Sequence, residues 1–522
     1  MFTKRMLPLL VAGALLGNAS FAADLAAKKV WITIGDTAYS QLQKMLPGTV
    51  AKESAVRGNG NAKAGFATQE KVHLVQVDES QLLNLSTTLH KELHRCGGFA
   101  FHPTLADGQK ALAAPAPTSS LAAVRPSYTL DNQTVVNAIL PTMQASNIAA
   151  TITELSTNYA NRYYTTSGGT NASAALMQKW QTMANGRTDI SVTQFTHASW
   201  PQKSVILTIN GTDNASEVVI IGGHLDSINT AGTSETTKAP GADDDASGIA
   251  SMTEAYRAML AYGYKPRRTI KFIAYAAEEV GLRGSAEIAA NFKTNNIKVA
   301  GVLQLDMTNY KGAANDIYIF TDYTDNSQNL FVENLIKTYQ PTLTIGHDVC
   351  NYGCSDHASW YNNGFYTSMP FESSFSGDNK NIHTANDTFA NSGGTANHSL
   401  KFARLAASFA IELGSDGAGT PPPGDKVETF TGSLVKSATK SFGPFKVAAG
   451  GSLKAATTGT GDIDLYARKT SVPTTTTYDC KSDGSTSTES CTISYTANGD
   501  GYVLLKGYAA GNYNLTVTYR PQ

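Results

Sequence analysis

Charged side chains are scarce in this sequence of 522 residues, and neither sign is in clear excess. Lys, Arg, Asp and Glu make up 16% of the chain, and its formal net charge is −1. Soluble proteins contain about 25% charged residues, and proteins that bind nucleic acid usually carry a basic field. The composition therefore argues against a nucleic-acid partner. The length itself predicts two or three domains, because domains commonly span about 100–200 residues.

Long apolar runs are absent after the first residues of the chain. The run at the start, MLPLLVAGALLG over 6–17, follows two basic residues and precedes the small residues Ser20 and Ala22. It is shorter than the roughly 20 residues that span a membrane, and its arrangement is typical of an export signal. We therefore expect a signal peptide over 1–22, no membrane span, and a secreted, extracellular protein.

Cysteine is also rare, with five in the chain. Cys350 and Cys354 are close enough in sequence to pair, as are Cys480 and Cys491, whereas Cys96 is left over. Paired cysteines fit an oxidising compartment. The C-x-x-x-C spacing also fits half of a zinc site, but no second pair of thiolates lies near it. We expect the disulfide bonds Cys350–Cys354 and Cys480–Cys491.

Two stretches that cannot build a core divide the chain. The Ala/Pro/Ser-rich segment 106–126 and the segment GSDGAGTPPPGD at 414–425 are interpreted as exposed linkers. Before the first, residues 23–105 mix helical and strand-like patterns. After the second, residues 426–522 contain short alternating runs separated by turn residues, a pattern that predicts a small all-β sandwich. The chemistry is expected in the block between them, 127–413.

Three short apolar runs in this block predict strands that are buried on both faces: VVIIGG at 218–223, TIKFIAYAA at 269–277 and VAGVLQL at 299–305. Helical patterns separate them. One has apolar residues at helical spacing (Ile249, Met252, Tyr256, Met259 and Leu260), with Asp245 or Ser247 as its cap. Alternating strands and helices predict an α/β fold with a parallel sheet that is covered by helices.

Residues that ligate metals follow all three predicted strands: His224 and Asp226, then Glu278 and Glu279, then Asp306. The carboxyl ends of parallel strands meet at one edge, and the loop GADDDASG at 241–248 opens on that edge. Adjacent carboxylates repel, so such a cluster is either a solvated loop or a seat for cations. Histidine with carboxylates and without thiolates suits zinc or a similar ion. So many groups indicate two ions that share a bridging carboxylate.

Six motifs resemble those of the secreted vibrio-type bacterial leucyl aminopeptidases, which are co-catalytic dizinc exopeptidases: GGHLDS at 222–227, GADDDASG at 241–248, AYAAEEVGLRGS at 274–285, LQLDMTNYKG at 303–312, CNYGCSDHASW at 350–360 and IHTANDT at 382–388. The similarity covers essentially all of 127–413 and implies a mixed, largely parallel sheet flanked by helices. The flanks resemble an N-terminal propeptide at 23–105 and a prepeptidase C-terminal-like domain at 426–522.

The resemblance implies two Zn²⁺ ions in the catalytic domain and assigns their ligands: Asp243 as the bridge, His224 and Asp306 at one ion, and Glu279 and His383 at the other. It also implies a cis peptide bond from Asp243 to Asp244. Glu278 would be the general base.

Asp226 lies two residues after His224 in an extended segment, so their side chains share a face and Asp226 can accept the imidazole N–H. Capping of the loop is the alternative role. The implied reaction is hydrolysis of the first peptide bond by a zinc-bridging hydroxide, with the free N-terminal amine of the substrate against the second zinc. The expected partners are peptides with a free N-terminus and processing proteases, and the protein is expected to be a monomer.

By the same resemblance, the substrate pocket consists of apolar residues with Met307 and Phe320 nearby: Tyr352, Met369, Phe371, Phe375 and Ile382. An apolar pocket suits Leu, Met or Phe at the N-terminus of the substrate. Burial of these aromatic residues in the core is the alternative. Ser355 is a weaker candidate for steadying the site, and His347 and His357 match no ligand motif.

Three other classes fit the sequence less well. A carboxypeptidase of the same superfamily needs a donor for the terminal carboxylate of its substrate, and no arginine occurs between 338 and 402. A non-catalytic binding protein would have lost ligands, whereas all five are present. A serine hydrolase would show G-x-S-x-G after a strand, and the chain does not.

Overall fold

The structure is a computed structural model that describes residues 28–59, 68–93, 98–113, 125–350, 352–415, 426–447, 452–495, 498–519 and 521. The predicted signal peptide at 1–22, Cys96 and most of the second predicted linker lie outside the described residues. Among the helices that are described, none combines the length and the apolar character needed to cross a membrane.

The N-terminal unit is an antiparallel sheet of four strands covered by helices. Its elements are β1 (Lys29–Gly35), α1 (Asp36–Met45), β2 (Ala51–Asn59), β3 (Thr68–Asp78), α2 (Leu82–Leu93), β4 (Phe99–His102) and α3 (Leu105–Ala113). The strand order is β2-β3-β1-β4. Helix α3 occupies the beginning of the segment predicted as a linker at 106–126. Its alanines and leucines favour a helix, and Leu112 packs on Val72 and Leu74 of the sheet.

The middle unit is built on a sheet of eight strands. Its elements are α4 (Gln133–Ile139), α5 (Ala145–Thr157), α6 (Ser167–Ala184), β5 (Ile190–Phe195), β6 (Ser204–Ile209), β7 (Asn214–His224), α7 (Ala246–Tyr262), β8 (Arg268–Tyr275), α8 (Arg283–Thr294), β9 (Lys298–Gln304), β10 (Ile317–Phe320), α9 (Asn326–Tyr339), β11 (Ile345–Asp348), α10 (His357–Asn362), β12 (Thr367–Phe371) and α11 (Ser399–Ser415). The three predicted strands are β7, β8 and β9, and the predicted helix is α7.

The order of this sheet is β11-β10-β12-β9-β7-β8-β6-β5. Strand β7 is central and pairs in parallel with β8 and β9. Three other pairs are antiparallel: β6 with β8, β5 with β6, and β10 with β12. The expected mixed, largely parallel sheet flanked by helices is confirmed. Because β8, β7 and β9 are neighbours, their carboxyl ends lie side by side.

Helix α7 is buried around most of its circumference and packs beside α5 and α11. Its N-terminus is capped by Asp245, whose side chain accepts a hydrogen bond from the Gly248 amide at 2.8 Å. The helix ends at Gly263, where a φ of 76° favours glycine. Capping by Asp245 anchors the loop that contains the three aspartates.

The C-terminal unit is an all-β sandwich, as predicted. Its strands are β13 (Lys426–Leu434), β14 (Thr439–Val447), β15 (Ser452–Gly459), β16 (Asp462–Lys469), β17 (Cys480–Ser482), β18 (Glu489–Ser494), β19 (Gly499–Ala509) and β20 (Gly511–Tyr519). Two sheets of four strands enclose a hydrophobic core formed by their own residues. The disulfide bond Cys480–Cys491 joins β17 to β18.

Candidate active site

Two groups of metal-ligating side chains lie at the carboxyl edge of the sheet. The first contains His224, Asp244 and Asp306, and the second contains Asp244, Glu279 and His383. Within each group the ligand atoms lie within 4.8 Å of one another, and all of these residues are buried. His224 ends β7, while the loops after β8 and β9 carry Glu279 and Asp306. The two groups share the carboxylate of Asp244.

The imidazole of His224 faces carboxylates through both ring nitrogens. Nε2 lies 2.8 Å from Asp244 Oδ1 and 3.5 Å from Asp306 Oδ1. Nδ1 lies 3.2 Å from the carbonyl oxygen of Asp226 and 3.5 Å from its carboxylate. A proton on Nδ1 therefore leaves Nε2 as the nitrogen directed at the shared carboxylate, as a metal ligand requires.

In the second group, His383 Nε2 lies 3.1 Å from Asp244 Oδ2 and 2.9 Å from Glu279 Oε2. Burial alone would raise the pKa of Asp244, but hydrogen bonds and charges from His224 and His383 outweigh burial and lower it. Asp244 is therefore the anionic carboxylate between the two histidines.

The bridging position was predicted for Asp243, and the structure places Asp244 there instead. Successive side chains of the loop point in different directions. Asp243 Oδ2 accepts a hydrogen bond from the side chain of Asn379 at 2.9 Å, and Oδ1 accepts one from the amide of Asn309 at 3.2 Å. Burial raises the pKa of Asp243 to about 8. The cis peptide bond also lies one residue later than predicted, between Asp244 and Asp245.

The residues of the two groups fit divalent metal ions. Asp244 Oδ2 and both carboxylate oxygens of Glu279 are buried, and apart from the close approach of His383 Nε2 to Asp244 Oδ2 and Glu279 Oε2, no donor among the described residues reaches them. Buried polar atoms are normally satisfied, so three such oxygens beside two histidines indicate a missing cationic partner. Histidine and carboxylate ligands without thiolates are a donor set that zinc accepts.

Asp226 contacts both segments that its predicted role requires. Asp226 lies next to His224. In addition, its Oδ1 accepts a hydrogen bond from the amide of Glu278 at 3.0 Å, and its Oδ2 accepts one from the amide of Glu279 at 3.2 Å. The carboxylate of Asp226 thus caps the segment that carries Glu278 and Glu279, whereas the nearest oxygen of Asp226 to His224 Nδ1 is its main-chain carbonyl at 3.2 Å. Glu278 is buried, and burial is the main cause that raises the pKa of its carboxyl group. An elevated pKa suits a group that must accept a proton and later release it.

The predicted pocket residues form one apolar cluster beside Asp306. It contains Met307, Phe320, Tyr352, Met369, Phe371 and Ile382, with Phe375 packed against it. A small cavity opens in this cluster, lined by Asp306 and by most of the predicted residues, but not by Ile382. The disulfide bond Cys350–Cys354 is present, and Cys354 also lines the cavity.

Sequence reasoning did not find Asp378, an acidic residue that lines this otherwise mostly apolar cavity. No metal or pocket motif contains Asp378, so its position gave no signal. Ser355 accepts a hydrogen bond from the Gln304 side chain at 3.1 Å. His347 bonds to Glu333, and His357 begins α10, so neither belongs to the two metal-binding groups.

The N-terminal unit touches the rim of the site through one face of α2. Leu83 packs against the apolar cluster that includes Ile228. The Thr87 hydroxyl donates to the carbonyl oxygen of Thr230 at 3.4 Å, and the ring of His90 lies 4.7 Å from the ring of His383. These three side chains follow the i, i+4, i+7 spacing of one helix face.

Histidine and carboxylate groups that converge at the edge of such a sheet are typical of a metal-dependent enzyme. Similarity to known proteins identifies the kind of enzyme. The profile of Peptidase family M28 matches residues 204–408, and that of the Bacterial pre-peptidase C-terminal domain matches residues 444–518. Leucine aminopeptidase 1 of Arthroderma otae is 39% identical over 293 residues, which cover 53% of this chain and 76% of the relative. A probable aminopeptidase of Saccharomyces cerevisiae is 34% identical over 270 residues, covering 50% of this chain and 70% of the relative.

Among solved structures, the Legionella pneumophila LapA aminopeptidase matches with a TM-score of 0.60 at 30% identity, covering 74% of this chain and 98% of that chain. The chain belongs to peptidase family M28 and is a metal-dependent hydrolase that carries a bacterial pre-peptidase C-terminal domain. The resemblance to leucyl aminopeptidases that was inferred from the motifs is confirmed.

Proposed function

We propose that the protein is a secreted dizinc aminopeptidase that removes a bulky apolar residue, preferentially leucine, from the N-terminus of peptides. The observation that carries this proposal is the pair of ligand groups that share Asp244 beside an apolar cavity. The leucine aminopeptidases among its relatives support the reaction class. Export of the protein from the cell is part of the proposal, and it is supported by the sequence of the N-terminal segment and by the C-terminal domain.

Two zinc ions would be held by the groups that contain His224 and His383, with Asp244 as the shared ligand. When bound, such ions lower the pKa of a water molecule and polarise the scissile carbonyl. The free amine of the substrate would lie against the group of Asp244, Glu279 and His383. This placement would restrict attack to the first peptide bond.

Glu278 would move the proton. Its main chain is fixed by the hydrogen bond from its amide to Asp226, while the adjacent Glu279 points into the metal-binding group. The Glu278 carboxylate accepts a proton from the attacking water and returns it to the leaving amine. Burial raises its pKa, which strengthens it as a base.

The cavity beside Asp306 would receive the first side chain of the substrate. Its walls include Met369, Phe371 and Phe375, and an apolar lining favours a side chain such as that of leucine. Tyr352, which also lines the cavity, lies between the two cysteines of the Cys350–Cys354 disulfide bond.

Leucyl and N-acetyl-leucyl chromogenic amides test this function, together with measurement of the metal content of the processed protein. We expect about two zinc ions per chain and turnover of the free-amine substrate alone. Turnover of the acetylated amide at a comparable rate would refute the requirement for a free amine. Activity that survives complete removal of metal would refute the metal dependence.

A further inference from the structure

Buried aspartates outside the two metal-binding groups tie the ligand-bearing segments to one another through main-chain hydrogen bonds. Asp226 accepts from the amides of Glu278 and Glu279, as described above. Asp387 acts in the same way on the aspartate loop, which we define as residues 241–245. Its Oδ2 accepts a hydrogen bond from the Asp244 amide at 3.2 Å, and its Oδ1 accepts one from the Asp243 amide at 3.0 Å. Asp387 lies four residues after His383 and so joins the second histidine to the shared carboxylate.

Asp245 makes the third connection. Its Oδ2 accepts a hydrogen bond from the amide of His224 at 2.9 Å, and its Oδ1 accepts one from the amide of Met307 at 3.1 Å. Met307 directly follows the ligand Asp306. The aspartate loop is therefore bonded, by its own side chain, to the segments that carry the other two members of the first group.

Arg162 holds the other side of the loop. It lies between α5 and α6 and is 1% exposed. Its Nη1 donates to the carbonyl oxygen of Pro240 at 2.5 Å, and its Nη2 donates to that of Gly241 at 2.8 Å. Its Nε donates to the carbonyl oxygen of Leu225 at 2.8 Å. Leu225 follows the last residue of β7, so one guanidinium joins the end of that strand to the start of the aspartate loop.

The charge of Arg162 is placed where negative charge is concentrated. Among the described residues, every hydrogen bond that its guanidinium donates goes to a main-chain carbonyl oxygen. The charges that act on it most strongly belong to four aspartates, namely Asp387, Asp245, Asp226 and Asp244. Burial lowers the pKa of the Arg162 guanidinium, and the field of these carboxylates counteracts part of that effect. Three of the four are the connecting aspartates, and the fourth is the shared ligand.

We propose that Arg162 is a positioning residue that sets the place of Asp244 between the two metal sites. The inference rests on the proposed dizinc function. Arg162 fixes the carbonyl side of the aspartate loop while Asp387 fixes its amide side. Because Asp244 belongs to both groups, a displaced loop weakens both sites together. Substitution of a residue that only stabilises the fold would lower the stability of the protein without a selective loss of zinc affinity.

Arg162→Lys in the full chain tests this role. Lysine keeps the positive charge, but a single ammonium cannot reproduce the planar fork that reaches four carbonyl groups, those of Leu155, Leu225, Pro240 and Gly241. We expect the zinc dissociation constants of both sites, measured by competition with a chelator, to rise about 10–100-fold, as outer ligand-supporting groups typically cause. The visible absorption of the cobalt-substituted protein should change as well, because the ligand geometry changes.

Gly241→Ala disturbs the contact between Arg162 and Gly241 without changing the arginine. Gly241 has a φ of +51°, and a Cβ added there would lie 2.5 Å from the carbonyl oxygen of Asp244 and from Ser227 Cβ, and 2.8 Å from Arg162 Nη2. The added methyl group displaces the guanidinium or the loop while leaving the charge of Arg162 in place. We expect the same joint weakening of both metal sites. If Arg162→Lys does not fold, wild-type zinc dissociation constants in Gly241→Ala would refute the inference, because the contact would then be disturbed without effect on the metal sites.

Arg268→Lys is the matched control. Arg268 is 2% exposed and donates to Glu217 at 2.7 Å and to the carbonyl oxygen of Leu413 at 2.7 Å. It begins β8, at the opposite end of that strand from Glu278. We expect this variant to lower the melting temperature while both zinc dissociation constants and the cobalt spectrum stay unchanged.

The outcomes separate the inference from the function on which it rests. If the wild-type protein binds no zinc, the dizinc function and the inference both fail. If the wild-type protein binds zinc but Arg162→Lys and Gly241→Ala retain its dissociation constants and cobalt spectrum, the positioning role alone is refuted. An equal loss of zinc affinity in Arg268→Lys would also refute it, because the effect would then follow from stability.

Discussion

Neighbouring residues of this site have different roles because successive side chains diverge from the main chain. Glu279 belongs to the second metal-binding group, whereas the adjacent Glu278 does not. The same divergence distinguishes Asp244, which lies between the histidines, from Asp243, which bonds to Asn379. A displacement of one residue along the chain therefore changes which carboxylate faces the metal sites.

Glu278→Ala should separate proton transfer from metal binding. We expect the variant to fold and to retain two metal ions, while kcat falls by about 10²–10⁴ or more because one group serves as both base and acid. KM should change little, since the carboxylate acts mainly in the transition state. Glu279→Ala should instead lose or weaken one metal site. Kinetics with leucyl amides and metal analysis of both variants make the comparison.

The roles assigned to the two glutamates would have to be exchanged if Glu278→Ala lost a metal ion while Glu279→Ala retained two. Near-normal turnover by Glu278→Ala would show that another group transfers the proton.

At the scale of single elements, two short segments shape access to the metal-binding groups. The loop closed by Cys350–Cys354 carries Tyr352 to the wall of the cavity. On the other side, α2 of the N-terminal unit lies against the rim, with His90 next to His383. The role of each segment can be tested by a substitution that leaves the metal-ligating residues unchanged.

Cys350→Ser should loosen the pocket. Without the disulfide bond Tyr352 is less well held, so we expect a higher KM for leucyl amides, weaker discrimination between apolar side chains and retention of both metals. The loss of stability should be modest, because closing so short a loop restricts the unfolded chain little. Cys480→Ser, which breaks the disulfide bond of the β-sandwich, is the control and should leave KM unchanged. Two free thiols in the active wild-type enzyme at 350 and 354 would exclude this role.

Leu83→Asp should raise the activity of the uncleaved chain. The contacts of α2 place the N-terminal unit over the rim, so we expect the uncleaved wild-type protein to hydrolyse leucyl amides several-fold more slowly than the processed protein. A carboxylate at position 83 would lie partly buried against the apolar cluster around Ile228, which disfavours docking of α2. Asn84→Asp adds the same charge at the next residue, on an exposed position, and should leave the activity low.

An uncleaved wild-type chain as active as the processed enzyme would mean that α2 does not restrain access. Equal activation by the two aspartate variants would mean that the added charge, rather than undocking, is responsible.

At the scale of the whole molecule, the three units have separate cores. The core of the β-sandwich consists of its own residues, such as Leu453, Leu505 and Val517. The core around α7 and α11 belongs to the middle unit. The metal-binding groups and the cavity contain only residues of the middle unit.

A protein that ends near Ser415, where α11 ends, should therefore retain its turnover of leucyl amides. Since none of the described residues of the β-sandwich belongs to the metal-binding groups, we expect kcat/KM to stay within about twofold of the full chain. Far-UV circular dichroism and metal content would establish that the shortened protein is folded. If it were folded and loaded with metal but had lost most of its turnover, the sandwich would have a direct part in catalysis.

Much of this architecture follows from local pattern alone. Continuous apolar runs predict β7, β8 and β9, since strands buried on both faces need apolar side chains at every position. The spacing from Ile249 to Leu260 predicts α7, and the alternation after residue 426 predicts the sandwich. Because parallel strands bring their carboxyl ends together, the sequence also predicts that His224, Glu279 and Asp306 converge. The disulfide bonds followed from sequence proximity.

Other features depend on contacts between distant segments, and no local pattern encodes them. Three consecutive aspartates are equivalent in the sequence, and the choice of Asp244 over Asp243 was made by Asp387 and Arg162, which fix the loop from positions 143 and 82 residues away from Asp244. Helix α3 formed in a segment that looked like a linker because Leu112 finds an apolar surface on a sheet built from earlier residues. The approach of His90 to His383 likewise arises only when the N-terminal unit and the middle unit meet. Periodicity and strand order are local properties that a chain carries in its sequence, whereas the direction of a loop side chain is decided by the partners that folding brings to it.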